Sequence, residues 1–269
     1  MVDKDNFMLC KECDIEDFVK LYDTSNYGYE IKFDGVRNFC IIKKGEVVGL
    51  LNRLGHNRID RFEHFKKDRF GDFDLVLDGE VVVINEDYIT RLPLVNSSEN
   101  WSKAKFIVFD ILSLNGVDTT ILTYSKRRIL LCELFSNFIN EDKNFALSPM
   151  FDDLKIWEVV KTRDLEGLIA KRLNSKYLGV RSDSWVKLKN WKNITKKVEK
   201  YEITENNGFV IYVNVNQNHL QKVVVNGINE NRYIKENFDR GKEVYVDLRY
   251  LHEEDIGLRE LVFKGVHNG

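Results

Sequence analysis

Proline is scarce in this chain, with two residues in 269, alongside sixteen glycines. Collagen-like and low-complexity linker architectures are thereby excluded. No run of about 18 uncharged apolar residues occurs, so nothing in the sequence reads as a membrane-spanning helix. The first residues, MVDKDNFMLCKECD, are acidic and polar and lack a signal-peptide apolar core. The expected location is the cytoplasm, nucleoid-associated if the cell is prokaryotic. Cysteine is sparse too: Cys10, Cys13, Cys40 and Cys132. Cys10 and Cys13 have half of a zinc-site spacing, but no second Cys or His pair follows at a suitable distance. They read as reduced thiols. Cys40 and Cys132 sit in apolar runs and read as small core residues. His56, His64, His219 and His252 form no triad or metal pattern.

What is present is globular material: 43% hydrophobic, 12% aromatic and 31% charged residues, which excludes a mostly disordered chain. The net charge of −2 argues weakly against a polyanion partner, but it averages over faces. Ten basic residues lie between Lys171 and Lys200: Lys171, Arg172, Lys176, Arg181, Lys187, Lys189, Lys192, Lys196, Lys197 and Lys200. Only Asp183 and Glu199 oppose them. One phosphate-facing surface on an otherwise acidic body is expected.

Residues 14–23 have helical apolar spacing. Then YEIKFDG, FCIIKKG and EVVGLLN are short strand-like runs broken by glycine. Arg58 to Asp68 reads as a helix. LVLDGEVVVI reads as two apolar runs around Asp78-Gly79-Glu80, and KFIVFDILSL as a buried strand. Ser125 to Ile139 is an amphipathic helix with Ser125 as its N-cap and Ile129, Leu130, Cys132, Leu134 and Phe135 on the inner face. Ile156 to Arg163 is a short helix, and LEGLIAKR and SWVKLKN are strands. After Lys200 the alternation in GFVIYVNV, KVVVNGI, EVYVDLRYL and ELVFKGV predicts a small β-barrel. The fold class is α+β, with residues 1–192 and 193–269 as two domains and no internal repeat.

Chemistry concentrates at the predicted strand ends. Glu30-Ile-Lys32-Phe-Asp34-Gly35-Val-Arg37 places an ammonium at a tight turn, where a buried lysine is costly unless paired or used. Glu166-Gly-Leu-Ile-Ala-Lys171 ends in a second lysine. Trp185-Val-Lys187-Leu-Lys189 puts two more on one face of a strand, because strand side chains repeat every second residue. Two lysines on one face repel each other unless a phosphate sits between them. Lysines and two separate glutamates at strand ends are what a nucleoside triphosphate and a divalent metal require.

The order of these segments resembles the covalent nucleotidyltransferase superfamily of ATP-dependent DNA ligases, RNA ligases and mRNA capping enzymes. Lys32 to Arg37 matches its Lys-x-Asp-Gly-x-Arg signature. EGLIAKRLNSKYLGVRSDSWVKLK and the final YLHEEDIGLRELVFKGVH are similar to ATP-dependent DNA ligases, in particular the ligase module of prokaryotic end-joining ligases. The likeness runs from about Tyr29 to His267.

The resemblance implies a nucleotidyltransferase (adenylation) domain of ATP-grasp-like antiparallel sheets with helices, then an OB-fold barrel. It implies ATP and Mg2+ or Mn2+ as cofactors, and nick sealing through lysyl-AMP and DNA-adenylate. Lys32 is the implied nucleophile, its pKa of ~10.4 lowered by Lys187, Lys189 and the metal. Glu30 meets the adenine edge. Arg37, Arg53 and Glu80 hold the ribose and its neighbourhood, and Phe109 stacks on the base. Glu166, with Glu80, serves the metal. Lys171 joins the nucleotide site, and Lys187 and Lys189 hold the α-phosphate. Arg259 and Lys264 orient pyrophosphate. Asp34 sets the turn or touches the ligand. Nicked duplex DNA is the implied substrate, gripped largely through its phosphates by the basic run and barrel. The expected partners are end-joining or repair proteins, and the expected state is a monomer.

The chain departs from the family pattern at three places. His267 stands where the final motif has a basic residue, with two residues after it. Only 28 residues precede Tyr29, too few for the extra DNA-binding domain of larger ligases. The loop from Glu86 to Lys103 follows no expected pattern.

Overall fold

The computed structural model describes residues 7–85, 90–138, 144–216, 219–254 and 257–267. The expectations for the first six residues and for 86–89 lie outside these. The chain divides into two compact units, Met1–Lys189 and Asn190–Gly269.

The first unit begins with β1 (Leu9–Cys13) and α1 (Ile15–Tyr22). Asp14 starts the helix: its carboxylate accepts the Asp17 N–H at 3.0 Å, and Glu16 and Asp17 favour the positive end of the helix dipole. Phe18 and Tyr22, one turn apart, are its buried face. Next come β2 (Tyr27–Lys32), β3 (Val36–Lys43) and β4 (Glu46–Asn52). Lys44 and Gly45 both take positive φ in the β3–β4 turn, the two-residue geometry that matches strand twist. β5 (Leu75–Val82), α2 (Leu92–Asn96), β6 (Lys105–Leu114), β7 (Val117–Asp118) and α3 (Tyr124–Phe138) follow. The unit ends with β8 (Phe145–Leu147), β9 (Met150–Phe151), α4 (Ile156–Thr162), β10 (Gly167–Arg172) and β11 (Arg181–Lys189).

Two sheets result. One runs β1-β11-β10-β2-β9; the other runs β4-β3-β5-β6-β7, with β8 also paired to β6. Tyr29, Leu168, Val186 and Leu188 of the first sheet pack with Phe18 of α1 and Val160 of α4. Phe106, Val108 and Ile111 of the second pack with Leu131 and Leu134 of α3. A third cluster joins both sheets: Trp185 of the first with Phe39 and Leu112 of the second, and with Met8 just before β1.

The second unit contains β12 (Lys192–Ile203), β13 (Phe209–Asn216), β14 (His219–Val225), α5 (Ile228–Asp239), β15 (Tyr245–Tyr250), β16 (Glu253–Glu254), β17 (Gly257–Leu258) and β18 (Val262–Val266). Its sheet runs β14-β13-β12-β15-β18. The first half of β12 pairs with β15 and the second half with β13, across an irregularity between Val198 and Lys200. One strand thus serves both sides of a bend, around a core of Val198, Ile211, Val223, Val246 and Leu248.

Several expectations need correcting. Residues 59–61 and 63–67 are two short 3-10 turns, not one helix. Asp78-Gly79-Glu80 lies inside the continuous strand β5. A Cβ at Gly79 would come within 2.6 Å of the Ile107 carbonyl oxygen, so glycine lets β6 approach. α3 starts at Tyr124, which puts Ser125 inside the first turn rather than at the cap. Its inner face holds Tyr124, Arg127, Leu131 and Leu134, while Ile129 and Cys132 are exposed. The physical reason is Arg127: it is fully buried and clamps Asp110 of β6 with two hydrogen bonds of 2.7 and 2.9 Å. An apolar count cannot see a face organised by a buried charge. Strands β1 and β12 and helix α5 were not expected at all.

Candidate active site

Strand alternation builds one wall. On β2, Tyr29 turns into the core, and Glu30 and Lys32 turn to the opposite face. The register carries that face across the sheet: Glu30 lies opposite Ile169, and Ile169 opposite Lys187; Lys32 lies opposite Gly167, and Gly167 opposite Lys189. The other sheet supplies Arg37 from β3, Glu80 from β5 and Phe109 from β6. Between them is a cavity of about 430 Å3, within the usual range for small-molecule sites. Glu30, Lys32, Arg37, Glu80, Phe109 and Lys171 line it, together with Lys187 and Arg53. The turn after Lys32 is tight: a side chain at Gly35 would collide with the Val81 carbonyl.

Lys32 is the centre of the site. Its ammonium donates to Glu166 Oε1 at 2.6 Å. Glu166 is 4% exposed and Lys32 23%. Burial works to lower the lysine pKa, but attraction to Glu166 and Glu80 and the hydrogen bond to Glu166 outweigh it, and the pKa is raised. The lowering expected from Lys187, Lys189 and the metal is not what these residues give by themselves: the charges that set the shift are the carboxylates Glu166 and Glu80. Glu80 is the reciprocal case: burial, despite the pull of Lys32, pushes its carboxyl from 4.5 up to about 8.

Glu30 is buried and ion-paired to the equally buried Lys171 at 2.8 Å. The Tyr124 hydroxyl also donates to it. Lys171 in turn donates to the Phe109 carbonyl at 3.0 Å and lies over the rings of Trp185, Phe109 and Tyr124 at 4.3, 4.7 and 4.9 Å. Arg37 binds Asp78 through two nitrogens at 2.9 and 2.5 Å, and donates to the Met8 carbonyl and the Tyr177 hydroxyl. It builds the wall, leaving one Nη1 hydrogen for a ligand. Phe109 meets Trp185 edge-on, with ring centroids 6.0 Å apart. Arg53 is exposed, without an ion-pair partner among the described residues.

Glu166 reaches the site through Lys32 rather than by lining the cavity, and Lys189 does not line it but lies opposite Gly167 in the strand register. Arg259 and Lys264 belong to the second unit. Arg259 exchanges backbone hydrogen bonds with Leu251 and His252, and Lys264 lines a shallow groove with Thr195 and Asp247. Not every cation of the basic run is free to face a phosphate. Lys171 is buried, and Arg172, Lys187, Lys197 and Lys200 are paired with Asp183, Glu12, Glu243 and Glu202. Sequence reasoning missed Tyr124 and Glu12 and gave Asp78 no role. Tyr124 carried no signal, since nothing ties it to Glu30 until α3 is docked. Among the described residues no cluster of three or more His, Cys, Asp or Glu could hold a metal. Glu80 and Glu166 nevertheless fit magnesium, which takes one or two carboxylates and completes its shell with phosphates and water.

A lysine at a tight turn, set between carboxylates in a cavity with an aromatic wall, is an arrangement that can hold a nucleotide against an amine. Residues 7–189 match the family model of the ATP dependent DNA ligase domain, and the chain belongs to that family. It is 31% identical over 215 residues to the bifunctional non-homologous end joining protein LigD of Bacillus subtilis, covering 69% of this chain and 34% of that one. It is 32% identical over 178 residues to a probable DNA ligase of Dictyoglomus thermophilum, covering 60% and 30%. The chain thus spans about a third of the length of these relatives. Among solved structures, the ligase domain of M. tuberculosis LigD shares the fold at a TM-score of 0.64 and 22% identity, over 99% of this chain and 96% of that one. A Lig E DNA ligase shares it at 0.69 and 18%, over 99% and 100%.

Proposed function

We propose that this chain is an ATP-dependent DNA ligase that seals a 5′-phosphate to a 3′-hydroxyl at a nick in duplex DNA. The observation that carries the reading is Lys32 in the Lys-x-Asp-Gly-x-Arg turn, hydrogen-bonded to Glu166 at the wall of a nucleotide-sized cavity.

Each step follows from the groups in place. Lys32 loses a proton, for which Glu166 Oε1 is the nearest acceptor, and its amine attacks the α-phosphate of ATP. A P–N bond forms, the bond to pyrophosphate breaks, and lysyl-AMP remains. Phe109 offers its ring to the adenine. Glu30, held by Tyr124 and Lys171, presents a carboxylate that accepts from the adenine amino group and repels the guanine carbonyl. Lys187 and Lys189 hold the α-phosphate and stabilise charge developing on it. The AMP then passes to the DNA 5′-phosphate, and the 3′-hydroxyl displaces it. Magnesium or manganese, held by Glu80 and Glu166 when bound, supplies charge neutralisation at the phosphates.

The first unit, Met1–Lys189, is the adenylation domain, and the second, Asn190–Gly269, an OB-fold barrel whose bent sheet supports that name. Arg259 and Lys264 orient pyrophosphate from the barrel. Exposed basic residues such as Lys176 and Arg53 meet the DNA phosphates. The working form is a monomer in the cytoplasm, acting with end-joining or repair proteins. Among the described residues no helix is long and apolar enough to cross a membrane.

The test is to incubate the protein with labelled ATP or GTP and magnesium, then with nicked DNA or nicked RNA. Labelling by ATP followed by sealing of nicked DNA is expected. Preferential labelling by GTP would move the reading to a capping enzyme, and preferential sealing of RNA to an RNA ligase.

A further inference from the structure

Four cations line the cavity with a carboxylate each: Lys32 with Glu166, Arg37 with Asp78, Lys171 with Glu30, and Lys187 with Glu12. In the first three the carboxylate is at most 4% exposed, so burial alone demands the partner. Glu12 is different. Its side chain is 32% exposed, yet it lies 3.0 Å from Lys187 Nζ. Water could solvate both groups at that exposure, so desolvation does not explain the pairing.

The backbone does. β1 and β11 run parallel, with Leu9 opposite Arg181 and Cys10 opposite Ser182. The ladder then slips: Lys11 faces Val186, Glu12 faces Lys187 and Cys13 faces Leu188. A regular ladder would have set Glu12 opposite Ser184. Three residues of β11, Asp183 to Trp185, are passed over, and the irregularity brings the one carboxylate of β1 beside the one lysine of β11 that lines the cavity.

We infer that Glu12 is a positioning residue for Lys187, fixing its ammonium at the place where the α-phosphate is bound. The inference rests on the ligase reading, in which Lys187 is a phosphate ligand. A lysine carries four rotatable bonds and three donors. Glu12 takes one donor and fixes the direction of the others. The remaining donors stay available to phosphate oxygens, and the ordering of the long side chain is complete before ATP arrives. Strand β1 is thereby part of the reaction machinery and not only an edge of the sheet.

The experiment follows lysyl-AMP formation in single turnover with labelled ATP and magnesium. It compares the parent, Glu12→Ala, Glu12→Gln, Lys187→Ala and the double variant Glu12→Ala/Lys187→Ala. Glu12→Ala is expected to slow the step by about tenfold to a hundredfold, the scale of a misplaced catalytic group. Glu12→Gln keeps an oxygen acceptor and the side-chain length, and should recover most of the rate. The double variant should be no slower than Lys187→Ala alone, within about twofold. A purely structural loss from removing Glu12 would slow both backgrounds alike, and that result overturns the inference. So does a parental rate for Glu12→Ala. A parent that forms no adduct removes the ligase reading and the inference with it, whereas a labelled parent with an unaffected Glu12→Ala removes the inference alone.

Discussion

Lys32 and Glu166 are bound to each other at 2.6 Å, one on β2 and the other immediately before β10, where Lys32 lies in register with Gly167. The strand pairing therefore sets the distance between the Lys32 ammonium and the Glu166 carboxylate. The raised pKa keeps the lysine an ammonium, with the Glu166 carboxylate as its hydrogen-bond acceptor.

Replacing that acceptor should slow the first chemical step. Glu166→Gln keeps the size and one oxygen but removes the negative charge. Lysyl-AMP formation is expected to fall by at least about a hundredfold, within the range for loss of a positioned acid–base group. Single-turnover labelling with ATP at saturating magnesium measures it. A rate within threefold of the parent would mean that the carboxylate only holds the lysine in place.

Stability should depend sharply on the Arg127–Asp110 pair. Both side chains are fully buried. Arg127→Ala leaves the Asp110 charge uncompensated in the core, which costs about 3–5 kcal/mol. Arg127→Met combined with Asp110→Leu should regain much of that loss, because apolar replacement of both partners removes the stranded charge. Urea unfolding of the three proteins is the measurement, and a double variant less stable than Arg127→Ala would contradict the argument.

The pH dependence of stability carries a signature of Glu80. Its folded pKa of about 8 lies above the ordinary 4.5, so the folded state retains a proton that the unfolded state releases. Below pH 4.5 the group costs nothing. Between about 4.5 and 8 the folded protein loses stability as pH rises, and above that window the loss is complete. Glu80→Gln is neutral at every pH. Without nucleotide, its melting temperature should exceed the parent's by a margin that grows from pH 5 to pH 8. A constant margin would show that Glu80 ionises normally.

The four thiols should separate by accessibility. Cys132 is exposed on α3, and Cys40 is fully buried. Cys10 lines the cavity, with its thiol pKa pushed up by burial; Cys13 is pushed to about 11 by burial and by Asp14. Iodoacetamide should label Cys132 first and Cys40 only on unfolding, as read by peptide mass spectrometry. ATP should slow labelling at Cys10. Equal labelling of Cys10 with and without ATP would place the nucleotide elsewhere.

Much of the site could be read from the sequence because its residues come in short runs on strands. Glu30 and Lys32, or Lys187 and Lys189, share a face through the two-residue repeat alone, and the Lys-x-Asp-Gly-x-Arg turn marks where that face ends. What could not be read depends on pairing between distant segments. Tyr124 meets Glu30 only once α3 docks, and α3 docks through a buried Arg127 that an apolar count scores as surface. Glu12 meets Lys187 only because the β1–β11 ladder slips. The charge run misled for the same reason, since composition counts Lys171 as a phosphate-facing cation and the fold buries it against Glu30.

The most direct test of the account is the adduct itself. The parent and Lys32→Ala are each incubated with α-labelled ATP and magnesium, denatured and resolved, then supplied with an ordinary nick and with a pre-adenylated nick. The account predicts a labelled parent whose label maps to the peptide containing Lys32. It predicts no label and no sealing of the ordinary nick for Lys32→Ala, with measurable sealing of the pre-adenylated nick, where the AMP is already in place. A Lys32→Ala protein that still forms the covalent adduct with ATP would contradict it.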